Sequence, residues 1–283
     1  MEYTKDAWAI LNPIEQSIKA KIEKYGTPLK DWDVSIYRGV LTGCNEAFII
    51  SGEKRKELIA EDPKSDEIIR PILRGRDIKR YGYEFADLWL INIECGFTNK
   101  YRGNKQPEEF IKTKYPAIYN HFMKVASAKT KGKGLINRDD KGDYWWELRS
   151  CAYWNDFSKQ KIMYSEIVRS PQFYLDNNGQ FYSEATGFVM TGEKLEYLLM
   201  ALHSKLLTYA FKTFYAGGGL GESGYRYKKA FLENLPIYYP TTNEYMEMFN
   251  HNEYQSIENL LNEAYHLTEE EKSFIETALN NCQ

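Results

Sequence analysis

Between residues 34 and 183 the chain is written in short β-branched and aromatic runs, and after 193 it turns to helical periodicity. This segregation constrains the fold more than any other feature. The runs VSIY, AFIIS, IIRPIL, LWLINI, KIMYSEI, QFYLD and GQFYS are separated by Gly, Pro and Asn, as strands are by turns. Strands grouped in one stretch and helices in another favour an α+β fold with mixed, mainly antiparallel small sheets over a doubly wound one. Asp176-Asn177-Asn178-Gly179 sits between two runs and reads as a hairpin turn. Leu195, Leu198, Leu199, Leu202, Leu206 and Tyr209 predict one long amphipathic helix from Glu193 to Tyr215. A helical patch over 107–126, interrupted near Tyr115-Pro116, breaks the strand region.

Two helix starts are legible from their caps. Asn12-Pro13-Ile14-Glu15 offers a cap, a proline for the first turn and a glutamate to close a capping box, and Gly26 ends that helix. Thr268-x-x-Glu271 is a second capping box, ahead of Phe274, Ile275 and Ala278. The expected division is a connecting helix over 1–33, a main domain over 34–240 and a helical tail over 241–283.

Charge bears on partners. The 283 residues carry 37 basic and 40 acidic side chains, which argues at first against nucleic acid. Residues 251–283, however, hold seven acids and only Lys272 as a base, so the first 250 residues are net positive by three. The segment 124–138 contains Lys124, Lys129, Lys131, Lys133 and Arg138 and no acid. Such a segment suits phosphates, and equally suits a solvated lysine loop. No apolar run approaches the roughly 20 residues that cross a bilayer, and the start, MEYTKDAW, lacks the pattern of a secretory signal. Cys44, Cys95, Cys151 and Cys282 lie tens of residues apart, which fits reduced thiols in a cytoplasmic protein.

Catalytic signatures are missing: the chain has no G-x-S-x-G, no H-E-x-x-H and no paired Cys/His spacing. Gly219-Leu220-Gly221-Glu222-Ser223-Gly224 matches G-x-G-x-x-G, but a helix is expected before it where a dinucleotide site needs a strand. Tyr225 stands where a P-loop needs lysine. The glycine-rich stretch 217–224, followed by Tyr225-Arg226-Tyr227-Lys228-Lys229, suits a backbone-lined approach to a polyanion, or an ordinary loop tip. Arg74-Gly75-Arg76-Asp77-Ile78-Lys79-Arg80 concentrates four bases around one acid and one glycine. Arginine forks onto guanine or phosphate, whereas pairing with Asp77 would merely organise a turn.

Four stretches together resemble the TaqI-like specificity domain found in type IIG restriction-modification enzymes and related adenine-specific DNA methyltransferases. They are Tyr37–Phe48 (YRGVLTGCNEAF), Pro71–Tyr81 (PILRGRDIKRY), Tyr144–Arg149 (YWWELR), and Leu202–Leu206 leading to Leu235-Pro236-Ile237. Their order and spacing cover roughly 34–240. His203 departs from the asparagine usual in that family, a change expected to touch packing rather than reading. The acidic tail with Leu267–Glu271 resembles the end of the same enzymes.

The resemblance implies sequence-specific recognition of double-stranded DNA on behalf of methyltransferase or nuclease domains, in cis or in trans. Those domains would use S-adenosylmethionine and Mg2+. This chain carries no Asn-Pro-Pro-Tyr loop and no Pro-Asp with Glu-x-Lys, so no catalytic role or cofactor is expected within it. It reads as a fragment or as a separately encoded subunit. On this reading Lys129, Lys131 and Lys133 hold phosphates, and Arg74, Arg76, Arg138 and Arg226 supply groove or backbone contacts, with Lys79, Arg80 and Lys228 beside them. Tyr225 and Tyr227 would bond phosphate or stack on an unpaired base. Trp145 and Trp146 read as core or interdomain anchors, and Arg38-Gly39 and Thr42-Gly43 as a turn abutting the catalytic domain. With 23 Tyr and 6 Trp, a protein-docking module without DNA binding is the alternative, and an enzyme of another kind a third.

Overall fold

The computed structural model describes residues 11–128, 133–217 and 224–280. The first helix, α1 (Pro13–Tyr25), starts as its sequence requires. The Glu15 amide donates to the Asn12 side chain and the Asn12 amide donates to the Glu15 carboxylate. The strands of the two four-stranded sheets are β1 (Val34–Arg38), β2 (Ile49–Ser51), β3 (Ile69–Leu73), β4 (Leu88–Ile91), β5 (Lys161–Ser165), β6 (Phe173–Asp176), β7 (Tyr182–Ser183) and β8 (Gly187–Gly192). The longer helices after α1 are α2 (Gly52–Glu61), α3 (Pro107–Lys114), α4 (Pro116–Ser127), α5 (Leu195–Leu202), α6 (Lys205–Ala210), α7 (Ile257–Ala264) and α8 (Glu269–Asn280). The fold is α+β, with small, mainly antiparallel sheets, as the grouping of strand and helix signals predicts.

The first sheet has the order β6-β5-β8-β1 and is antiparallel throughout. Its two faces belong to two different cores. Ile36, Ile162, Tyr164, Phe173 and Met190 point into a core completed by α1, α5, α6, α7 and α8. Met163 and Val189 point the other way, into a core shared with the second sheet and with α3 and α4. All five residues of β5 are therefore buried, and its sequence KIMYS lacks the polar alternation of a half-exposed strand. Lys161 is the exception in type. Its ammonium donates to the carboxylate of its cross-strand neighbour Asp176 at 2.6 Å and to the Phe157 carbonyl at 2.7 Å, with both side chains sealed from water.

The second sheet has the order β7-β3-β4-β2, with β7 parallel to β3 and the other pairings antiparallel. The chain passes between the sheets repeatedly: β1 and β8 lie side by side in the first, with all four strands of the second inserted between them in sequence.

Two expectations need correction. Asp176–Gly179 is not a hairpin. Asp176 accepts hydrogen bonds from the amides of Gln180 and Phe181 as well as from Lys161, and the chain then leaves for the other sheet, where Tyr182 pairs with Ile72. The helix expected over 193–215 is broken. α5 ends at Leu202, Ser204 accepts from the Leu207 amide to start α6, and Phe211–Tyr215 continues as a π-turn. The breaks at Tyr115-Pro116 and the Thr268 capping box are as expected. Among the described residues no helix is long and apolar enough to cross a membrane.

Candidate nucleic-acid interface

The Arg-Gly-Arg-Asp segment is a single 3-10 turn, Gly75–Asp77, at the end of β3. Asp77 organises it, accepting from the Arg74 amide and from Arg74 Nε at 2.9 Å each and from Nη2 at 2.8 Å. Burial works to raise the Asp77 carboxyl, but the hydrogen bonds from Arg74 outweigh it and hold the group below the usual carboxylate range. One edge of the Arg74 fork is thereby committed. Arg76 is exposed.

Gly75 allows the turn to dock. Its amide donates to Thr186 Oγ1 at 3.0 Å, and a Cβ there would lie 2.6 Å from the Thr186 carbonyl oxygen. The Thr186 hydroxyl in turn donates to Glu184 Oε2 at 2.6 Å. From the opposite side, Gly39 lies against the same stretch, and a Cβ on it would meet the Glu184 carbonyl oxygen at 2.1 Å. Arg38 Nε donates to the Ala185 carbonyl at 2.9 Å. Two of the stretches that carry the family resemblance, Tyr37–Phe48 and Pro71–Tyr81, thus converge on residues 183–187.

Between them opens a cleft of about 690 Å3, lined further by Asn45, Glu46 and Ser165–Ile167. Its walls hold three guanidinium groups, from Arg38, Arg74 and Arg76, and three carboxylates, from Glu46, Glu166 and Glu184. Arg226 stands at the rim, with Nη1 3.9 Å from Glu166. This donor and acceptor mixture can pair with polar edges of both kinds, and it carries no net charge to draw in a polyanion along its length.

The other expected site residues are distributed as follows. Lys79 donates to the Arg76 carbonyl and pairs with Glu84. Arg80 donates to the His203 carbonyl at 3.3 Å, away from the cleft lining. Lys133 is exposed and pairs with Asp139, while Lys129 and Lys131 lie outside the described residues. Lys228 is exposed, its ammonium 5.5 Å from the Phe231 ring.

Three expectations fail on burial. Arg138 is only 3% exposed, and its guanidinium donates to the carbonyls of Thr42, Leu135, Asp140, Trp145 and Glu147. It is a clamp for backbone, and its burial keeps it from a base or phosphate. Tyr225 and Tyr227 are 2% and 1% exposed, packed around Phe211 and Phe173, so neither ring can stack on a nucleotide.

The tryptophan motif is likewise internal. Trp146 is buried and donates to Thr98, and Trp145 packs on Phe122. Buried Glu147 accepts from the amides of Gly96, Thr98 and Asp143. Cys95, Asp143 and Glu147 bring possible metal-ligand atoms within 4.8 Å of one another, but those three amides already occupy the Glu147 oxygens. His203 also serves packing. Phe173 N donates to its Nε2 at 3.2 Å, which puts the ring proton on Nδ1, facing the Leu199 carbonyl at 2.8 Å.

Sequence reasoning missed Glu46, Glu166, Ile167, Glu184 and Thr186 as cleft residues, and gave Arg38 only a turn-building role. The signal for Arg38 and Glu46 was present in the first resembling stretch; Glu184 and Thr186 sat in a strand end with no distinguishing local pattern.

The model of the TaqI-like C-terminal specificity domain matches residues 70–237. A type II methyltransferase, M.MjaIV of Methanocaldococcus jannaschii, is 26% identical over 206 residues, covering 70% of this chain and 63% of that protein. The chain therefore spans less than two thirds of this relative. Among solved structures, the type IIL restriction-modification enzyme MmeI in complex with DNA superposes with a TM-score of 0.52 over 90% of this chain and 36% of its own, at 12% identity. The type IIG restriction endonuclease BpuSI gives a TM-score of 0.50 over 84% of this chain and 27% of its own, also at 12% identity. Both share the fold.

Proposed function

Because this chain belongs to the family of TaqI-like C-terminal specificity domains of restriction-modification enzymes, we propose that it selects a double-stranded DNA site and that the cleft beneath the Gly75 turn does the selecting. The observation that carries the reading is the cleft's balanced wall of three arginines and three glutamates on a rigid backbone. A carboxylate repels phosphate, so such a wall is ill-suited to follow the DNA backbone. It suits base edges, where arginine forks onto guanine O6 and N7 and glutamate accepts from a cytosine amino group. Phosphate contacts fall to the lysines of the basic segment 124–138 and to exposed Lys228. A relative solved in complex with DNA adds support.

Methylation and cleavage, with their S-adenosylmethionine and Mg2+, belong on this reading to accompanying domains in cis or in trans. The chain's own glycine-rich run supports that assignment. Helix precedes it at Phe211–Tyr215 and strand follows at Tyr225–Arg226, the reverse of the strand–loop–helix order that cradles a nucleotide.

The test is a binding comparison on a duplex selected from a random library and on a scrambled one. Arg76→Ala should cost about 1–3 kcal/mol on the selected duplex and much less on the scrambled one. Replacing Lys129, Lys131 and Lys133 by Ala should weaken both alike and flatten the salt dependence by about one unit per lost phosphate contact. Equal losses on both duplexes for Arg76→Ala would move base reading out of the turn. Failure of the wild-type chain to enrich any duplex would return it to the docking alternative.

A further inference from the structure

We propose that Ile167 reads a thymine by packing on its 5-methyl group, an inference that rests on the DNA-reading function proposed above. Ile167 is 50% exposed and lines the cleft; among large apolar side chains of the described residues, only Tyr101 is as exposed. Its position is fixed rather than free. Ile167–Val168 pairs antiparallel with Tyr225–Arg226, placing Ile167 opposite Arg226, and the Ile167 carbonyl accepts from Ser165 Oγ at 3.2 Å. Tyr227 N donates to the Glu166 carbonyl at 2.8 Å and extends the same pairing.

The surroundings define the ligand. Glu166 precedes Ile167 and Arg226 faces it, with Arg76 and Glu184 on the cleft walls. The centre of a protein–protein interface is depleted of glutamate, and three line this cleft, which argues against a protein partner. Ile49 and Leu88 also line the cleft, but Ile167 is its most exposed aliphatic side chain. An aliphatic group so presented beside hydrogen-bonding groups matches a major-groove edge carrying a methyl among donors and acceptors. In DNA that methyl is thymine's.

The experiment uses the full chain and the duplex it selects from a randomised library, with each thymine replaced singly by uracil. Loss of one buried methyl corresponds to roughly a fourfold loss of affinity. We expect such a loss at one position for the wild type, none at that position for Ile167→Ala, and a partial loss for Ile167→Val. A selected site with no required thymine, uracil tolerated at every position, or a uracil penalty that survives in Ile167→Ala would each overturn the inference while leaving DNA reading intact. If no duplex is enriched at all, the DNA-reading function fails and takes this inference with it.

Discussion

Arg76 and Arg138 carry the same guanidinium to opposite ends. Arg76 stands in the cleft on a turn held by other residues, whereas Arg138 closes five backbone carbonyls inside the protein. Arg138→Ala should therefore cost roughly 3 kcal/mol or more in urea unfolding, because the carbonyls it leaves are buried. Arg138→Lys should not restore the loss, since an ammonium cannot span that planar set. Affinity per folded molecule should stay unchanged. Along the chain Arg138 looks like the last member of a lysine-rich run. Nothing local announces that its partner Thr42 lies 96 residues upstream. The same blindness sent Tyr225 and Tyr227 to the surface, for a Tyr-Arg-Tyr-Lys-Lys string reads as exposed until the core around Phe211 is known. His203 was placed correctly in packing, and its burial has a pH consequence. Desolvation, helped by Arg80, pulls its imidazole down to about 3. The unfolded chain takes up a proton near pH 6.5 and the folded chain does not, so stability should fall as pH drops from about 6.5 toward 3. In His203→Gln that part of the slope, of the order of a few kcal/mol, should be missing from unfolding curves compared across pH.

At the scale of elements, what was legible was local. The Asn12 and Thr268 boxes satisfy helix ends with side chains three residues away, and both form as written. What was illegible depends on partners far along the chain. A run of leucines at helical spacing does not reveal that Ser204 will cap a second helix; Ser204→Ala should cost about 1 kcal/mol of stability while leaving α5 intact by circular dichroism. The turn at Asp176 has hairpin residues, yet its carboxylate is held by Lys161 across the sheet and the strand after it goes elsewhere. Asp176→Leu alone should be severe, about 3–5 kcal/mol, because it strands a buried ammonium. Adding Lys161→Met should recover most of that loss in the same denaturation assay, and failure to recover would place the stabilisation in the Gln180 and Phe181 amide bonds instead.

For the whole molecule, the decisive element is the first sheet, because its two faces serve two cores. The chain should unfold in one transition rather than two. Met163→Ala and Met190→Ala, on adjacent strands but opposite faces, should each lower that transition by about 2–5 kcal/mol and keep it single by fluorescence and circular dichroism alike. The acidic C-terminal region takes part in the same structure: Glu271 accepts from Ser17 and Lys21, tying α8 to α1. The cleft, by contrast, is assembled from Gly39, Gly75, Asp77 and main-chain contacts, while Arg76, Glu46 and Ile167 project from it without holding it together. Architecture and vocabulary are thus separately heritable. If the cleft reads bases as proposed, codons 46, 76 and 167 should tolerate joint randomisation with little penalty in folding and yield altered targets by a few substitutions, whereas a change at Gly39 or Gly75 should disturb the cleft itself and with it every target.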